Sequence, residues 1–466
     1  MLLLCCHMRG TRVIRIHVRR KMSGAASIGL DLGAGKCCVA SVRAGAVTVL
    51  PNAHGDKTTP SFVAFTDSRC LVGSDARDQA ALNAENTFYG VKTVLGRSYK
   101  KNRYNELAYL DGNEIWTREK CMMNFLPEFS KTEEGSPSFI IKYKKKKLKL
   151  HAEEITALLV AKMKSVAEDN LGSPVTNAVI TVPVNFSNAQ RQATLDAARI
   201  AGLKNVTLIN STTAAAIAFW DQHPRDDDCI AVVDFGASSL SFAIVSIENG
   251  IVKVLEAYGG STVSGNYIDL WMMQAVVTKY QEKHGKSFEA SRRALVRLRT
   301  ATEKLKFNLT SHTSSSMQVD SLSHYIDFTT TFTRQEMEDS CKSQFEIIEN
   351  MLRRWAKSKN WVDVRTVVLV GGSTRIPAVE KLIAETLRKP LDNSLNKDEA
   401  VACGAALRAT ELCCSTPREV EEVLSRRIWF EATRDIENII RYTNQHYIRM
   451  GIVNHIGLLR LKYQFP

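Results

Sequence analysis

The sequence predicts an α/β protein built from two similar lobes that face a cleft. Three observations lead there. Ile28-Gly-Leu-Asp-Leu-Gly-Ala-Gly-Lys36 reads as a short buried strand ending in Asp31 and a glycine turn. Val232-Val-Asp234-Phe-Gly-Ala-Ser-Ser239 repeats that pattern half a chain later. Between and after them, strand-like runs alternate with helical ones, the pattern of layered α/β domains.

The repeat continues past the turn. Cys38–Val42, a turn at Arg43-Ala-Gly45 and Ala46–Leu50 follow Asp31. Leu240–Ile247, a turn at Glu248-Asn-Gly250 and Ile251–Leu255 follow Asp234. Each copy reads strand, glycine turn, strand, turn, strand. Copies this far apart fit duplicated lobes, since solenoid repeats are much shorter. Glycine lets backbone N–H groups approach a phosphate, and a carboxylate at a strand end suits a divalent cation. One such turn is often only a turn; two facing each other are placed to hold a polyphosphate. The first is not a P-loop, because Gly33-Ala-Gly-Lys36 lacks the leading glycine and Cys37 replaces Ser/Thr.

The remaining elements follow in order. Ser61–Phe65 reads as a strand, and residues 67–150 as a more polar appended region ending in a lysine-rich hairpin. Glu153–Leu171 has helical spacing and stops at Gly172. Asn177–Val182 is a buried strand, Asn188–Ala201 a helix closed by Gly202, Val206–Ile209 a strand and Thr213–Trp220 a helix. Ile230–Asp234 opens the second half. Tyr267–His284 and Thr333–Lys357 read as helices, Ser291–Leu309 as a strongly basic stretch, and Thr366–Val370 as a buried strand entering a Gly-Gly turn. Asn396–Ala406 reads as a helix start packed through small residues, and Arg418–Tyr442 as helical.

Composition bounds the partners. A chain of 466 residues allows a large core, and no run approaches the ~18 apolar residues of a membrane span, so no membrane role is expected. Eleven cysteines without a CxxC or metal spacing fit reduced thiols and a cytoplasmic location. The formal net charge of +13 is patchy. Residues 1–26, with Arg9, Arg12, Arg15, Arg19, Arg20 and Lys21 and no acid, read as an unstructured basic leader. The alternative is a mitochondrial transit peptide, although serine is scarce. Lys142 and Lys144–Lys149 read either as a solvated edge strand or as a contact to a polyanion such as ribosomal RNA. Sequence-specific nucleic-acid binding is not expected.

These residues resemble, in the family's order, the nucleotide-binding domain of the heat-shock 70 kDa chaperones. The matching segments are Ile28–Gly33, Thr58–Ser61, Val91-Lys92 with Leu95–Arg97, Thr176–Pro183, Gln190–Thr194, Ala214–Ala218, Arg297–Ala301, Val368–Pro377 and Asp398–Ala406. The resemblance implies an actin-like ATPase fold of two ribonuclease H-like lobes. Lobe I would span 27–224 with an outer insertion at about 61–150, and lobe II 225–411 with one at about 263–333. A divergent tail, 412–466, would carry no peptide-binding domain.

The resemblance also implies a site for ATP or ADP with Mg2+. Asp31 and Asp234 would hold the hydrated metal, and with Lys92 and the Ser239 hydroxyl they form the implied catalytic set. The nucleotide would lie against Gly33, Ala34, Gly35 and Lys36 of the first loop and Gly236, Ala237 and Ser238 of the second. Gly265, Glu303, Lys306, Thr310, Gly371, Gly372, Ser373, Arg375 and Asp398 would line the rest. Standing alone, Lys92 or Asp398 reads as a surface charge or helix cap.

The departures from the family's pattern lead to an expectation of weakened hydrolysis. Two threonines of the family's first loop are Ala34 and Gly35, and its Gly-Gly-Gly-Thr loop is Gly236–Ser239. Acids are replaced by Ser211 and Ser241, the Gly-Gly-Glu-Asp stretch is Ser264-Gly265-Asn266-Tyr267, and a basic residue at the base is Phe307. The texture most resembles that of the family's atypical, ribosome-associated branch. The expected function is an ATP-binding co-chaperone assisting protein folding with weak or no hydrolysis, met by a J-domain partner and a nucleotide-exchange factor. The alternatives are an active ATPase domain of a truncated chaperone and a nucleotide-independent scaffold.

Overall fold

The computed structural model describes residues 26–97, 129–131, 136–225, 227–248, 251–412 and 420–421. The readings of the leader and of nearly all the tail lie outside these residues.

The duplicated halves appear as two sheets of matching topology. In the first, strand Ala26–Asp31 lies parallel to Val175–Val182 and antiparallel to Lys36–Arg43, with Asn205–Asn210 and Ala46–Val49 beyond them. In the second, Asp228–Phe235 lies parallel to Thr366–Val370 and antiparallel to Leu240–Glu248, with Leu391–Asp392 and Ile251–Gly260 outside. Asp31 and Asp234 thus stand at the ends of equivalent central strands, each between one parallel and one antiparallel neighbour. The central strands are continuous apolar runs because both faces are covered; Ile28, Leu30, Ile230, Val232 and Val233 are fully buried.

A shared core joins the lobes. Val179 and Ile209 of the first sheet and Ile230, Val232 and Val368 of the second pack around helices Ser211–Gln222 and Ala400–Leu412. Helix Ala400–Leu412 crosses so closely that small residues are required. A Cβ on Gly404 would sit 1.7 Å from the Ala214 carbonyl oxygen, and one on Gly29 would sit 2.0 Å from the Ala406 nitrogen. This explains a glycine between the two apolar residues that start the organising strand.

Helix boundaries follow local chemistry. Ala152–Leu171 ends where Gly172 takes a left-handed conformation at φ 63°. Asn188–Ile200 begins with a reciprocal cap: the Gln190 N–H donates to Ser187 Oγ, and the Ser187 N–H donates to Gln190 Oε1.

Three readings are corrected. The helix expected over Thr333–Lys357 is two helices, Arg334–Ser340 and Lys342–Trp355, broken at Cys341. The break lets Met337 and Cys341 enter the same core as Ile348, Leu352 and Trp355. The region 263–333 also holds a hairpin, Ser314–Ser323 with Ile326–Thr333, hidden in the sequence by serine and threonine on its exposed face. Its inward positions Met317, Val319, Phe328 and Phe332 are buried. Within the stretch expected to be helical, Val420–Glu421 instead pairs in parallel with Val252–Lys253, where an open sheet edge offers backbone partners.

The lysine-rich stretch is a hairpin, Pro137–Tyr143 with Lys146–His151, turning through Lys144 and Lys145 at φ 50° and 63°. Lys146–His151 is the edge of its sheet. Phe139 and Ile141 are buried, while Lys142, Lys144, Lys145, Lys146, Lys147 and Lys149 are exposed.

Candidate functional site

The strand ends bring two carboxylates and an ammonium into one enclosed cluster. Thr181 Oγ1 donates to Asp31 Oδ1 at 2.6 Å, a contact set by register because Thr181 follows Ile180, the partner of Leu30. Ser211 Oγ donates to Asp234 Oδ2 at 2.6 Å. Lys92, 7 % exposed, donates its Nζ to the Leu32 carbonyl and lies 5.5 Å from the Phe186 ring centroid. Burial pushes the Asp31 carboxyl up, against the pull of Lys92 and the Thr181 hydrogen bond. Burial also raises Asp234 to about 6, opposed by the Ser211 hydrogen bond, with Asp31 adding repulsion and Lys92 relieving it. The same burial lowers Lys92, which Asp31 and Asp234 hold up. Three charges from opposite lobes therefore interact across the cleft, with Lys92 buried and both carboxylates half-buried, and such perturbed clusters are frequent at functional centres.

The loops around this cluster are tight. A Cβ on Gly33 would lie 2.1 Å from the Lys36 carbonyl oxygen, and Ser61 Oγ donates to the Gly33 carbonyl at 2.7 Å. In the second loop the Gly236 N–H donates to the Ser239 carbonyl at 3.0 Å. Helix Gly265–His284 starts directly on that loop, its Gly265 and Asn266 N–H groups donating to the Gly236 and Ala237 carbonyls. Ser373 Oγ donates to the Gly236 carbonyl at 3.3 Å. Gly371, at φ 85°, approaches so closely that its Cβ would lie 2.7 Å from Asp234 Oδ1. The two loops also meet: a Cβ on Gly35 would lie 3.0 Å from that of Ala237. The methyl of Ala237 thus narrows the gap between them.

Asp398 ties the lobes together. Its Oδ1 is 2.8 Å from Lys36 Nζ and its Oδ2 is 3.0 Å from Arg375 Nη2. Burial acts to raise the Asp398 carboxyl, but Lys36 and Arg375 outweigh it and hold it below the usual range. Lys57 pairs with the adjacent Glu399 at 3.0 Å.

Of the sequence-predicted residues, Asp31, Lys92, Asp234, the three glycine loops, Arg375 and Asp398 converge here. Lys306 Nζ is 2.7 Å from Asp269 Oδ1 and within 3.4 Å of the Gly265 carbonyl, so it borders the second loop. Glu303 lies 3.7 Å from Arg299. Thr310 turns its hydroxyl back to the Phe307 carbonyl of its own helix, and Phe307 is exposed. Sequence reasoning missed Tyr89, Thr181 and Arg299. Only Thr181 carried a signal, as the residue level with Asp31 once the two strands are taken as parallel.

The site fits a magnesium-bound nucleoside triphosphate. Glycines stand where a side chain would strike the carboxylate or the loop backbone. Buried polar atoms at the loops, Ser241 Oγ and Asn266 Nδ2, have no hydrogen-bond partner among the described residues. No group of three or more His, Cys, Asp or Glu among the described residues is placed to hold a metal.

Two lobes of repeated topology closing on two Asp-Gly turns define the nucleotide-binding domain of the actin-like ATPase fold. Residues 27–426 match the family described as Hsp70 protein, and the chain belongs to that family. It is 36% identical over 406 residues to a heat shock 70 kDa protein of Emericella nidulans, covering 86% of this chain and 60% of that one. It is 38% identical over 397 residues to a ribosome-associated molecular chaperone of Eremothecium gossypii, covering 84% of this chain and 62% of that one. Heat shock cognate 70 kDa protein 3 of Dictyostelium discoideum is 36% identical over 406 residues, 85% of this chain and 62% of its own length. The chain therefore spans about three fifths of the curated relatives it matches. No helix among the described residues is long and apolar enough to cross a membrane.

Proposed function

We propose that this chain is an ATP-binding module of a protein-folding chaperone that hydrolyses its nucleotide slowly or not at all and works as an atypical co-chaperone. The observation that carries this reading is the Ser211–Asp234 hydrogen bond at 2.6 Å. A hydroxyl there satisfies the enclosed carboxylate but cannot act as a base or add charge. Ser241 is likewise a neutral residue, paired across the strands with Asp234.

Bound in the cleft, Mg-ATP supplies the phosphoanhydride bond and the cation that neutralises it. Asp31 and Asp234 would hold the hydrated metal, and Lys92 would meet the terminal phosphate, with the Leu32 carbonyl orienting its ammonium. The N–H groups of Gly33, Ala34, Gly35, Gly236, Ala237, Ser238 and Ser239 would surround the phosphates. Gly371, Gly372, Ser373 and Arg375 would take the α-phosphate and base, with Glu303, Lys306 and Thr310 toward the ribose. Lys36 would add a cation to the first loop by leaving Asp398. Such chemistry is mainly positioning and charge stabilisation, and each lost stabiliser typically costs 10²–10³ in rate, on the order of 3–4 kcal/mol.

Membership of the Hsp70 family supports, as part of the same reading, a J-domain partner, a nucleotide-exchange factor and a cytoplasmic location. Ribosome contact through Lys142–Lys149 is supported by the exposed hairpin and by relatives named ribosome-associated. Single-turnover hydrolysis tests the central point. The wild type is expected to be slow, and Ser211→Glu with Ser241→Asp to be faster by about a hundredfold or more. Fast wild-type turnover that Lys92→Ala abolishes would refute the reading.

A further inference from the structure

Lys36 closes the first glycine loop and starts strand Lys36–Arg43 of lobe I. Its ammonium reaches across the cleft to Asp398 Oδ1 at 2.8 Å, and Arg375 Nη2 holds the other carboxylate oxygen at 3.0 Å. Asp398 lies beside the Gly371-Gly372 turn: a Cβ on Gly372 would be 3.6 Å from Asp398 Oδ1 and 3.8 Å from Arg375 Nη1. The Lys36 ammonium therefore stands between the first loop and that turn. Its side chain is 46 % exposed, so it has room to turn, and Arg375 keeps Asp398 paired when it does.

The charges of the cleft balance before any ligand enters. Among the described residues, Asp31, Asp234 and Asp398 face Lys92, Lys36 and Arg375. Lys92 interacts with Asp31 and Asp234, and Lys36 and Arg375 bind Asp398. The bordering ions pair among themselves: Lys57 with Glu399, Lys306 with Asp269, Arg299 with Glu303 and Lys397 with Glu380. Ser211 and Ser241, beside Asp234, add no charge. Without Lys36 the cleft would be net negative, and a polyphosphate would rely on a dication to offset the repulsion. With it, the offsetting charge is already present, and it is carried by the first loop itself.

We propose that Lys36 binds the phosphate chain of the nucleotide as a built-in cation, so that ATP binds this cleft nearly as well without magnesium as with it. The assignment rests on the nucleotide reading above. An ammonium on the loop offers a charge-assisted hydrogen bond as well as its charge, and it is in place before the ligand arrives. Magnesium, when present, still has Asp31 and Asp234 as partners, but it is no longer the condition for binding.

Calorimetric titration of the full chain with ATP, once in excess Mg2+ and once in EDTA, tests this with wild type and Lys36→Met, each checked for folding by thermal denaturation. Removing magnesium should weaken ATP binding to the wild type by less than about threefold. Lys36→Met keeps the stem and loses the charge. In EDTA it should bind ATP about thirtyfold more weakly than wild type, the size of a lost hydrogen bond to a charged group; in Mg2+ the metal replaces most of that loss and the gap should shrink to about threefold. A wild type that loses tenfold or more in EDTA would overturn the proposal. So would Lys36→Met affinities that fall equally with and without magnesium, or that do not fall at all. If Lys36→Met does not fold, the two wild-type titrations decide alone. A wild type that binds ATP in neither condition is a different failure, which removes the nucleotide reading and this assignment with it.

Discussion

Asp234 gives a prediction whose size can be worked out. Its carboxyl is raised from 3.8 to about 6, mainly by loss of water in the enclosed cleft. Because the folded state holds the proton more tightly than the unfolded one, the charge opposes folding. The site's stability is greatest below pH 4 and is lost as pH rises through 6. Two pH units correspond to about 3 kcal/mol of destabilisation at pH 7.5. Asp234→Asn keeps the shape and an oxygen to accept from Ser211, but carries no charge. The variant should therefore be more stable than wild type at pH 7.5 by about 3 kcal/mol, shrinking to about 1.5 kcal/mol at pH 5. Urea unfolding at the two pH values measures both gaps. A variant less stable than wild type at pH 7.5, or a gap that does not change with pH, would refute the claim that this carboxylate is held charged at a cost to the fold.

Other consequences are equally direct. Gly404→Ala places a methyl against the Ala214 carbonyl, so the crossing helix must shift; thermal denaturation should show a loss of about 3 kcal/mol. Reversing Lys144–Lys147 to glutamate should leave folding intact, since exposed charges contribute little, but should release the protein from ribosome pellets at low salt. Identical sedimentation of wild type and variant would reduce the hairpin to a solvated edge. Saturating Mg-ATP, at about a hundred times its Kd, should stabilise the wild type by about 2.7 kcal/mol in a melting experiment.

What the sequence made legible was local. Asp31 and Asp234 each share a short segment with their turn glycines, so the motif, its repeat and the duplicated sheets could be read without a structure. The departures were equally local: Ser211 and Ser241 stand at positions fixed by their neighbours. Contacts made by lobe closure were not legible. Lys36 was read as a cation beside the first loop, yet it spans to Asp398, which also binds Arg375. Ser211 was read only as a lost carboxylate, while the structure gives it a bond to Asp234. The Tyr89 hydroxyl and the Asn266 side chain, 177 residues apart, form a hydrogen bond only when the lobes meet. The break at Cys341 and the hairpin over 314–333 were missed because burial in the lobe II core overrode local periodicity.

The central claim is that Asp31, Lys92 and Asp234 form one nucleotide site across the cleft. Calorimetric titration of the wild type and of Lys92→Ala with Mg-ATP tests it most directly. One Mg-ATP should bind per wild-type chain, and Lys92→Ala, which removes the buried ammonium facing both carboxylates, should bind at least about tenfold more weakly. Absence of binding to the wild type, or equal affinity in the variant, would contradict the account.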